Sequence, residues 1–502
     1  MKNNNAVTKR CGIKILIAAA EIAPFAKVGG LADVTGSLPP ALKKLNCETR
    51  LIMPLYGSIN RKKYELKKIK NNIKIISKNK GQKINLWQSH LPGGNIIVYF
   101  IENKKYFGKK KIYCGNNAER FLFFSYAALQ LLPIIKFSPD LIHCHDFHTA
   151  LIPDILKISE NPFYKNIKTI YTIHNLNYQG KSEIAVLKTG NLSKNSLKTL
   201  SRDARDGDIN FMVQGILNAD IITTVSKTYA KEITTSMYGA SLDNILKKRK
   251  RDLYGILNGI DIDFFNPQKD QLIKNKYSVV SLDKKTRNKL ALQKQLGLPQ
   301  NKNIALIGFI SRLVWQKGIE LITSKFSKLN CQFIFLGTGQ LQYEKRLKNL
   351  EKKYPRQFKV ILGFDEKLAH QIYAGADLFL MPSRFEPCGL GQMISMRYGT
   401  VPVVRQTGGL ANTVKNYSPL IRGAGGINTP LIRGEGGVKS TGFVFKKFDS
   451  DALYKELEKA LDLFYNKPKI WRQLQINGMK EDFSWNKSAK EYLKLYKKLV
   501  SK

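Results

Sequence analysis

The sequence predicts an α/β protein of two doubly wound domains in tandem. Three features predict it. Short apolar runs alternate with polar, helix-like stretches, the signature of mainly parallel sheets. The alternation lapses near the middle of the chain and then starts afresh. Most apolar runs stop where Gly, Pro or polar residues begin, which sets polar loops at the carboxyl ends of the strands, where ligands collect in such sheets. With 502 residues, 43% of them hydrophobic, the chain can fill two or three cores of ~150 residues each.

The first set of strands is read at Lys14–Ala20, Glu48–Met53, Ile96–Ile101, Leu141–His145, Thr169–Ile173 and Ile221–Val225, with a helix at Ala118–Leu132. Lys9 and Arg10 ahead of the first run imitate a secretory leader. Lys14 interrupts that run, Glu21 closes it and no small-residue cleavage site follows, so a buried strand is expected. The segment Tyr254–Pro267 leads to the second set, at Ile304–Phe309, Phe333–Leu336, Lys359–Leu362, Leu378–Met381 and Val401–Val404. From Phe483 to Lys502, Trp485, Tyr492, Leu495 and Leu499 recur at helical spacing, which predicts a packed closing helix. A short duplication, Pro-Leu-Ile-Arg-Gly-Ala-Gly-Gly at 419–426 and Pro-Leu-Ile-Arg-Gly-Glu-Gly-Gly at 430–437, has too few copies for a solenoid and predicts a glycine-rich surface loop without chemistry.

Composition excludes several classes. No apolar run approaches the ~20 residues that a bilayer span needs, so no membrane role is expected. The six cysteines are scattered and contain no C-x-x-C pair, which argues against a zinc site or a disulfide framework and for a reducing cytoplasm. The charge is unusual, with 83 Lys+Arg against 38 Asp+Glu and a formal net charge of +45. Such a field attracts polyanions. The lysines, however, are spread along the whole chain and travel with Asn and Ile, as a compositional bias would produce. The densest run, Lys247–Arg251, is read as a solvated loop, and no nucleic-acid-binding signature accompanies it.

Chemistry gathers in a few strand-end loops. Residues 21–34, Glu-Ile-Ala-Pro-Phe-Ala-Lys-Val-Gly-Gly-Leu-Ala-Asp-Val, begin where the first strand ends. Gly29 and Gly30 let backbone N–H groups approach an anion, a helix N-terminus follows, and Lys27 adds a cation. A strand–helix turn that simply needs two glycines would read the same way. Residues 143–149, His-Cys-His-Asp-Phe-His-Thr, hold three of the six histidines. His143 and His145 share a strand face, but no outlying Cys or His completes a familiar zinc spacing, so no metal is expected and the run is read as a polar rim. His174 and Asn175 emerge at the mouth of another strand.

In the second half, Arg312 and Lys317 lie just past a strand, where two cations would neutralise a diphosphate leaving group as its charge develops. Residues 381–390, Met-Pro-Ser-Arg-Phe-Glu-Pro-Cys-Gly-Leu, carry Glu386 at the tip of a Pro- and Gly-defined loop, with a helix starting near Leu390. A carboxylate there suits sugar or ribose hydroxyls, and the helix N-terminus suits phosphate.

Taken in order, Lys-x-Gly-Gly-Leu, His-x-His-Asp-x-His, Ile-His-Asn, Asn-Gly-Ile-Asp, Ser-Arg-Leu-x-x-Gln-Lys-Gly, Pro-Ser-Arg-Phe-Glu-Pro-Cys-Gly-Leu and Arg-x-Thr-Gly-Gly-Leu resemble the bacterial glycogen synthase and plant starch synthase family, from about residue 12 to 498. The resemblance implies the GT-B fold of two Rossmann-like domains facing across a cleft, residues 1–257 and 258–482, with a closing helix at 483–502 that crosses back to the first domain. It implies transfer of glucose from ADP-glucose to an α-1,4-glucan, with retention of configuration and no cofactor. Position by position it assigns Lys27, Gly30, Asp33 and Asn258 to the donor site, His174 to the transferred glucose, Arg312 and Lys317 to the diphosphate, and Glu386 to the sugar. Cys388, Gly389 and Leu390 lie beside the donor, and Phe364 packs on its base.

Three departures from the family pattern stand out: Phe147 in place of a tryptophan, Gly391 in place of a threonine, and the 419–437 duplication. Two other readings stay open, a related GT-B transferase with another donor or acceptor, and an inactive glucan-binding protein.

Overall fold

The structure, a computed structural model, describes residues 12–76, 81–418 and 439–501. The 419–437 duplication, Lys9, Arg10 and Cys11 lie outside the described residues. The chain divides into two compact units, one of residues up to 259 together with those from 485 onward, the other of residues 260–484. Among the described residues, no helix is long and apolar enough to cross a membrane.

The first unit contains β1 (Lys14–Ala18), β2 (Glu48–Pro54), β3 (Lys67–Ile75), β4 (Gln82–Leu91), β5 (Ile96–Glu102), β6 (Leu141–His145), β7 (Lys168–Ile173), β8 (Lys181–Glu183), β9 (Asp208–Asn210), β10 (Ile221–Thr224) and β11 (Leu253–Gly255). Nine of these form one sheet in the order β11-β10-β7-β6-β1-β2-β5-β4-β3. It is parallel except where β4 pairs antiparallel with β5 and β3 with β4. β8 and β9 pair separately.

All six strands read from the first half of the sequence are present. The β3–β4 hairpin was not legible, because β3 carries four lysines and buries only Ile73 and Ile75. An edge strand needs little burial, and lysines on it discourage pairing with a stray strand.

Chain order reverses between β1 and β6: the chain runs out through β2 and β5 on one side, then returns to β6, β7 and β10 on the other. That reversal opens a crevice at the carboxyl ends.

The closing helix spans Trp485–Val500 and belongs to the first unit. Trp485, Ala489, Tyr492, Tyr496 and Leu499 form its buried stripe, packed partly on the Gly30–Lys43 helix. Ser488 Oγ donates to the Leu257 carbonyl at 2.5 Å.

The basic run Lys247–Arg251 is solvated as expected at Lys247, Lys248, Lys250 and Arg251, but it is not a plain loop. It straddles the end of the Asp243–Lys248 helix, and Arg249 is structural. The Arg249 guanidinium donates to the carbonyls of Ile216, Leu217 and Ala219, each at 2.8 Å, at the end of the Phe211–Asn218 helix. Those carbonyls have no intrahelical partner and carry the negative end of the helix dipole, so a cation there satisfies both needs.

The second unit holds β12 (Ala305–Ile310), β13 (Cys331–Gly337), β14 (Phe358–Leu362), β15 (Leu378–Met381), β16 (Val401–Arg405) and β17 (Phe443–Phe445), all parallel, in the order β14-β13-β12-β15-β16-β17. Alternate side chains feed two cores. Ala305, Ile307 and Phe309 point into a large one with Phe333, Phe335 and Trp471, and Leu306 joins Ile334, Leu336 and Ile372 on the other face. Here the chain order reverses between β12 and β15.

Candidate active site

In the second unit, the two loops flanking the reversal carry the strongest candidates. Lys317 follows β12 and Glu386 follows β15, and strand adjacency brings Lys317 Nζ to 2.6 Å from Glu386 Oε2. Ser383 Oγ donates to the same oxygen at 2.9 Å. Both side chains are largely buried, at 15% and 7% exposure. Glu386 is therefore not an exposed loop tip but a fixed, paired carboxylate beside the phosphate-binding candidate. The pairing is further held by Gln316, which donates to the Phe385 carbonyl at 3.2 Å, and by Arg384 N–H, which donates to the Gln316 carbonyl at 2.8 Å.

Arg312 lies exposed two residues past β12, and Phe364 projects at 86% exposure just beyond β14, both at the carboxyl edge. Cys388 is buried, and Gly389 follows it in a left-handed conformation at φ +71°.

The helix after Leu390 is short, Gly391–Arg397. A Cβ on Gly391 would lie 2.8 Å from the Phe379 ring, so the ring occupies the room a threonine side chain would take.

In the first unit, Lys27 Nζ meets Asp33 Oδ1 at 2.6 Å on the open loop ahead of the Gly30–Lys43 helix. Gly29 has φ −145° and Gly30 is not in the left-handed region, and a Cβ on either would meet nothing within 4 Å among the described residues. Neither glycine is required by the turn or by packing. Space is open over the loop at both positions.

The loop's donors are aimed inward, however. Val28 N–H and Gly29 N–H donate to Glu21 Oε2 at 2.5 and 3.0 Å, and the Tyr113 hydroxyl donates to Glu21 Oε1. The anion these N–H groups hold is the protein's own carboxylate, a role the sequence reading did not give to Glu21. Asn258 is buried, and its Oδ1 has no hydrogen-bond partner among the described residues.

The histidine run divides by depth. His143 is bonded at both nitrogens, Nδ1 to the Tyr496 hydroxyl at 2.8 Å and Nε2 to Thr172 Oγ1 at 2.6 Å. His145 Nδ1 lies 2.9 Å from His174 Nε2. His148 sits among Tyr113, Phe121 and Phe147. Among the described residues, no group of three or more His, Cys, Asp or Glu side chains is arranged to hold a metal ion. Phe147 keeps an aromatic face in place of the usual tryptophan, and Gly180 leaves room for its ring, since a Cβ there would come within 2.5 Å of it.

Asp146 is a second residue that sequence reasoning missed, although it stands in the middle of the run. It has φ +51°, unusual for a non-glycine, and is locked there by accepting from His174 N–H at 2.7 Å. Such strain collects at functional sites. Burial, aided by the nearby Glu21 charge, pushes its carboxyl up to about 7.

Because the folded state then binds a proton that the unfolded chain releases near pH 4, this group's contribution to stability falls as pH rises from about 4 through 7. Each tenfold difference in proton affinity between the two states is worth about 1.4 kcal/mol. Asp146→Asn should therefore flatten the stability–pH curve over that window by roughly a few kcal/mol. Urea midpoints at pH 5 and pH 8 for both proteins check this; parallel curves would refute it.

Comparison with known proteins extends over both units. The starch synthase catalytic domain family model matches residues 14–248, and the glycosyl transferases group 1 model matches residues 288–473. A glycogen synthase of Thermotoga maritima is 43% identical over 500 residues, covering 98% of this chain and 99% of its own. A glycogen synthase of Geobacillus thermodenitrificans is 40% identical over 503 residues, covering 98% of both chains. The solved catalytic domain of starch synthase IV from Arabidopsis thaliana, bound to ADP and acarbose, superposes with a TM-score of 0.86 at 33% identity, covering 98% of this chain and 100% of that one. With two parallel-sheet α/β units and matches of this length and identity, the chain belongs to the bacterial glycogen synthase and plant starch synthase family of GT-B glycosyltransferases.

Proposed function

We propose that the chain is a glycogen synthase that transfers glucose from ADP-glucose to the non-reducing end of an α-1,4-glucan, with retention of configuration. The observation that carries this reading is the Lys317–Glu386 pair, 2.6 Å apart at the chain reversal of the second sheet. The ADP and acarbose bound in the Arabidopsis relative support a nucleotide-sugar donor and a glucan acceptor here. The described cysteines are all free thiols, which supports action in the reducing cytoplasm.

In this reading Lys317 and Arg312 bind the diphosphate and neutralise the charge that grows on it as the glycosidic bond breaks. Glu386, held in place by Lys317 and Ser383, accepts hydrogen bonds from sugar hydroxyls. The acceptor hydroxyl attacks from the face the leaving group departs, and the departing phosphate takes its proton. Retaining glycosidases use a carboxylate pair instead, ~5 Å apart. His174 contacts the transferred glucose, and desolvation pulls its imidazole down to about 3, so it acts as a neutral group. Lys27, Gly30, Asp33, Asn258, Phe364, Cys388, Gly389 and Leu390 are proposed as donor-binding residues, on the resemblance.

The test is incorporation of labelled glucose into glycogen from ADP-glucose and, in parallel, from UDP-glucose and other donors. Transfer from ADP-glucose into product that an α-1,4-specific hydrolase digests is expected. Binding of glucan without transfer from any donor would overturn the assignment.

A further inference from the structure

His145 ends β6 fully buried, and its Nδ1 faces His174 Nε2 at 2.9 Å. One of these two nitrogens must carry the proton of that bond. Desolvation holds both rings neutral, each well below the ordinary histidine range, so each ring has one proton to place.

The other nitrogen of His145, Nε2, is buried and has no hydrogen-bond partner among the described residues. If His174 donated from Nε2, His145 would have to carry its own proton on that sealed nitrogen, an N–H with no acceptor. If His145 donates from Nδ1, only a bare lone pair is left without a partner. Orphaned buried N–H groups are the rarer and costlier of the two.

From this geometry we infer that His145 is a positioning residue that fixes His174 as its Nδ1–H tautomer, so that His174 presents a hydrogen-bond donor to a hydroxyl of the transferred sugar. The inference deepens the reading of His174 as a sugar contact and rests on it. His174 Nδ1, carrying the proton, donates and does not act as a base at that atom.

The support for His145 runs deep into the first unit. Its ring stacks on His143 at 4.2 Å and 29°, and its backbone N–H donates to Thr149 Oγ1 at 2.6 Å. His143 in turn is pinned by Thr172 on the neighbouring strand and by Tyr496 of the closing helix. His174 is held from its other side through its backbone bond to Asp146. The packing of the closing helix thus reaches the proton position of His174 through two stacked rings.

The test reads the tautomer directly. In full-length protein labelled with 15N-histidine, the resonances lost in His174→Gln identify His174, and a protonated Nδ1 with a bare Nε2 is expected. His145→Phe keeps the stacked ring and removes the donor. It should lower kcat by tenfold or more with the glucan KM unchanged, and turn the His174 spectrum into a tautomer mixture. His145→Asn, whose amide nitrogen falls near the place of Nδ1, should restore the Nδ1–H signature and most of kcat.

A wild-type His174 protonated at Nε2, or an unchanged His174 spectrum in His145→Phe, would overturn the inference whatever the activities. If His145→Phe fails to fold, the wild-type and His145→Asn spectra still decide. Unchanged transfer in His174→Gln would instead remove the sugar contact itself, while leaving the tautomer assignment standing.

Discussion

Lys317→Ala is expected to cut kcat by at least ~100-fold, the usual loss when one preorganised charge partner of a transition state is removed. The same change should also destabilise the second unit. Glu386 is 7% exposed, and among the described residues the Ser383 hydroxyl is the other side chain that donates to its carboxylate. Breaking a buried pair from one side costs ~3–5 kcal/mol, which in a unit of this size moves a melting midpoint by ~10 °C.

The two losses have different causes and separate in the double variant. Lys317→Ala with Glu386→Gln removes the uncompensated charge, so the melting midpoint should recover while turnover stays low. Calorimetry and steady-state kinetics on the two variants and the wild type check this. Near-normal kcat in Lys317→Ala would end the proposed role of the pair.

Gly408→Ala is expected to be the most damaging single methyl in the site. Gly408 has φ +44°, and a Cβ there would sit 1.9 Å from the Glu386 carbonyl oxygen. The turn cannot relax easily, because Gly409 N–H donates to that same carbonyl at 3.0 Å. The left-handed backbone alone costs ~1–2 kcal/mol for an L-residue. Relief of the overlap must come from moving the Glu386 backbone, which pulls its carboxylate away from Lys317.

We expect a stability loss of ~4 kcal/mol or more, in the exceptional range for one substitution, together with a large drop in kcat. Gly30→Ala is the contrasting control. An added Cβ there meets no atom of the described residues within 4 Å, so the urea midpoint should hold or rise while the donor KM increases. Equal midpoints for Gly408→Ala and wild type would show that the 386–388 and 408–409 turns are looser than their geometry.

Local pattern and tertiary placement contributed differently to what was legible. Apolar runs bounded by Gly and Pro announced Leu141–His145 and Leu378–Met381 to the residue, because a strand buried on both faces has little choice of side chains. β3 escaped, since an exposed edge strand imposes no such pattern. The glycines of the Lys27–Gly30 loop read equally as turn or ligand cradle; that their backbone angles and packing do not demand glycine, and that Val28 and Gly29 N–H turn inward onto Glu21, is visible only in the folded chain. Glu21 and Asp146 stood inside recognised motifs yet went unassigned, because a carboxylate's role depends on which N–H groups converge on it.

The sequence by itself determined the alternating strands, the loops that carry the polar residues and the family to which they belong, all of which are encoded in short-range periodicity and ordered motifs. Tertiary structure alone decided which loops adjoin. Lys317 and Glu386 stand 69 residues apart and meet because β15 pairs with β12, while His143 and Tyr496 stand 353 residues apart and meet because the closing helix docks on the first unit. Local spacing sets which way a side chain points from its own strand. What it points at is set by long-range strand pairing and helix docking, whose driving force is the burial of surface shared between distant segments.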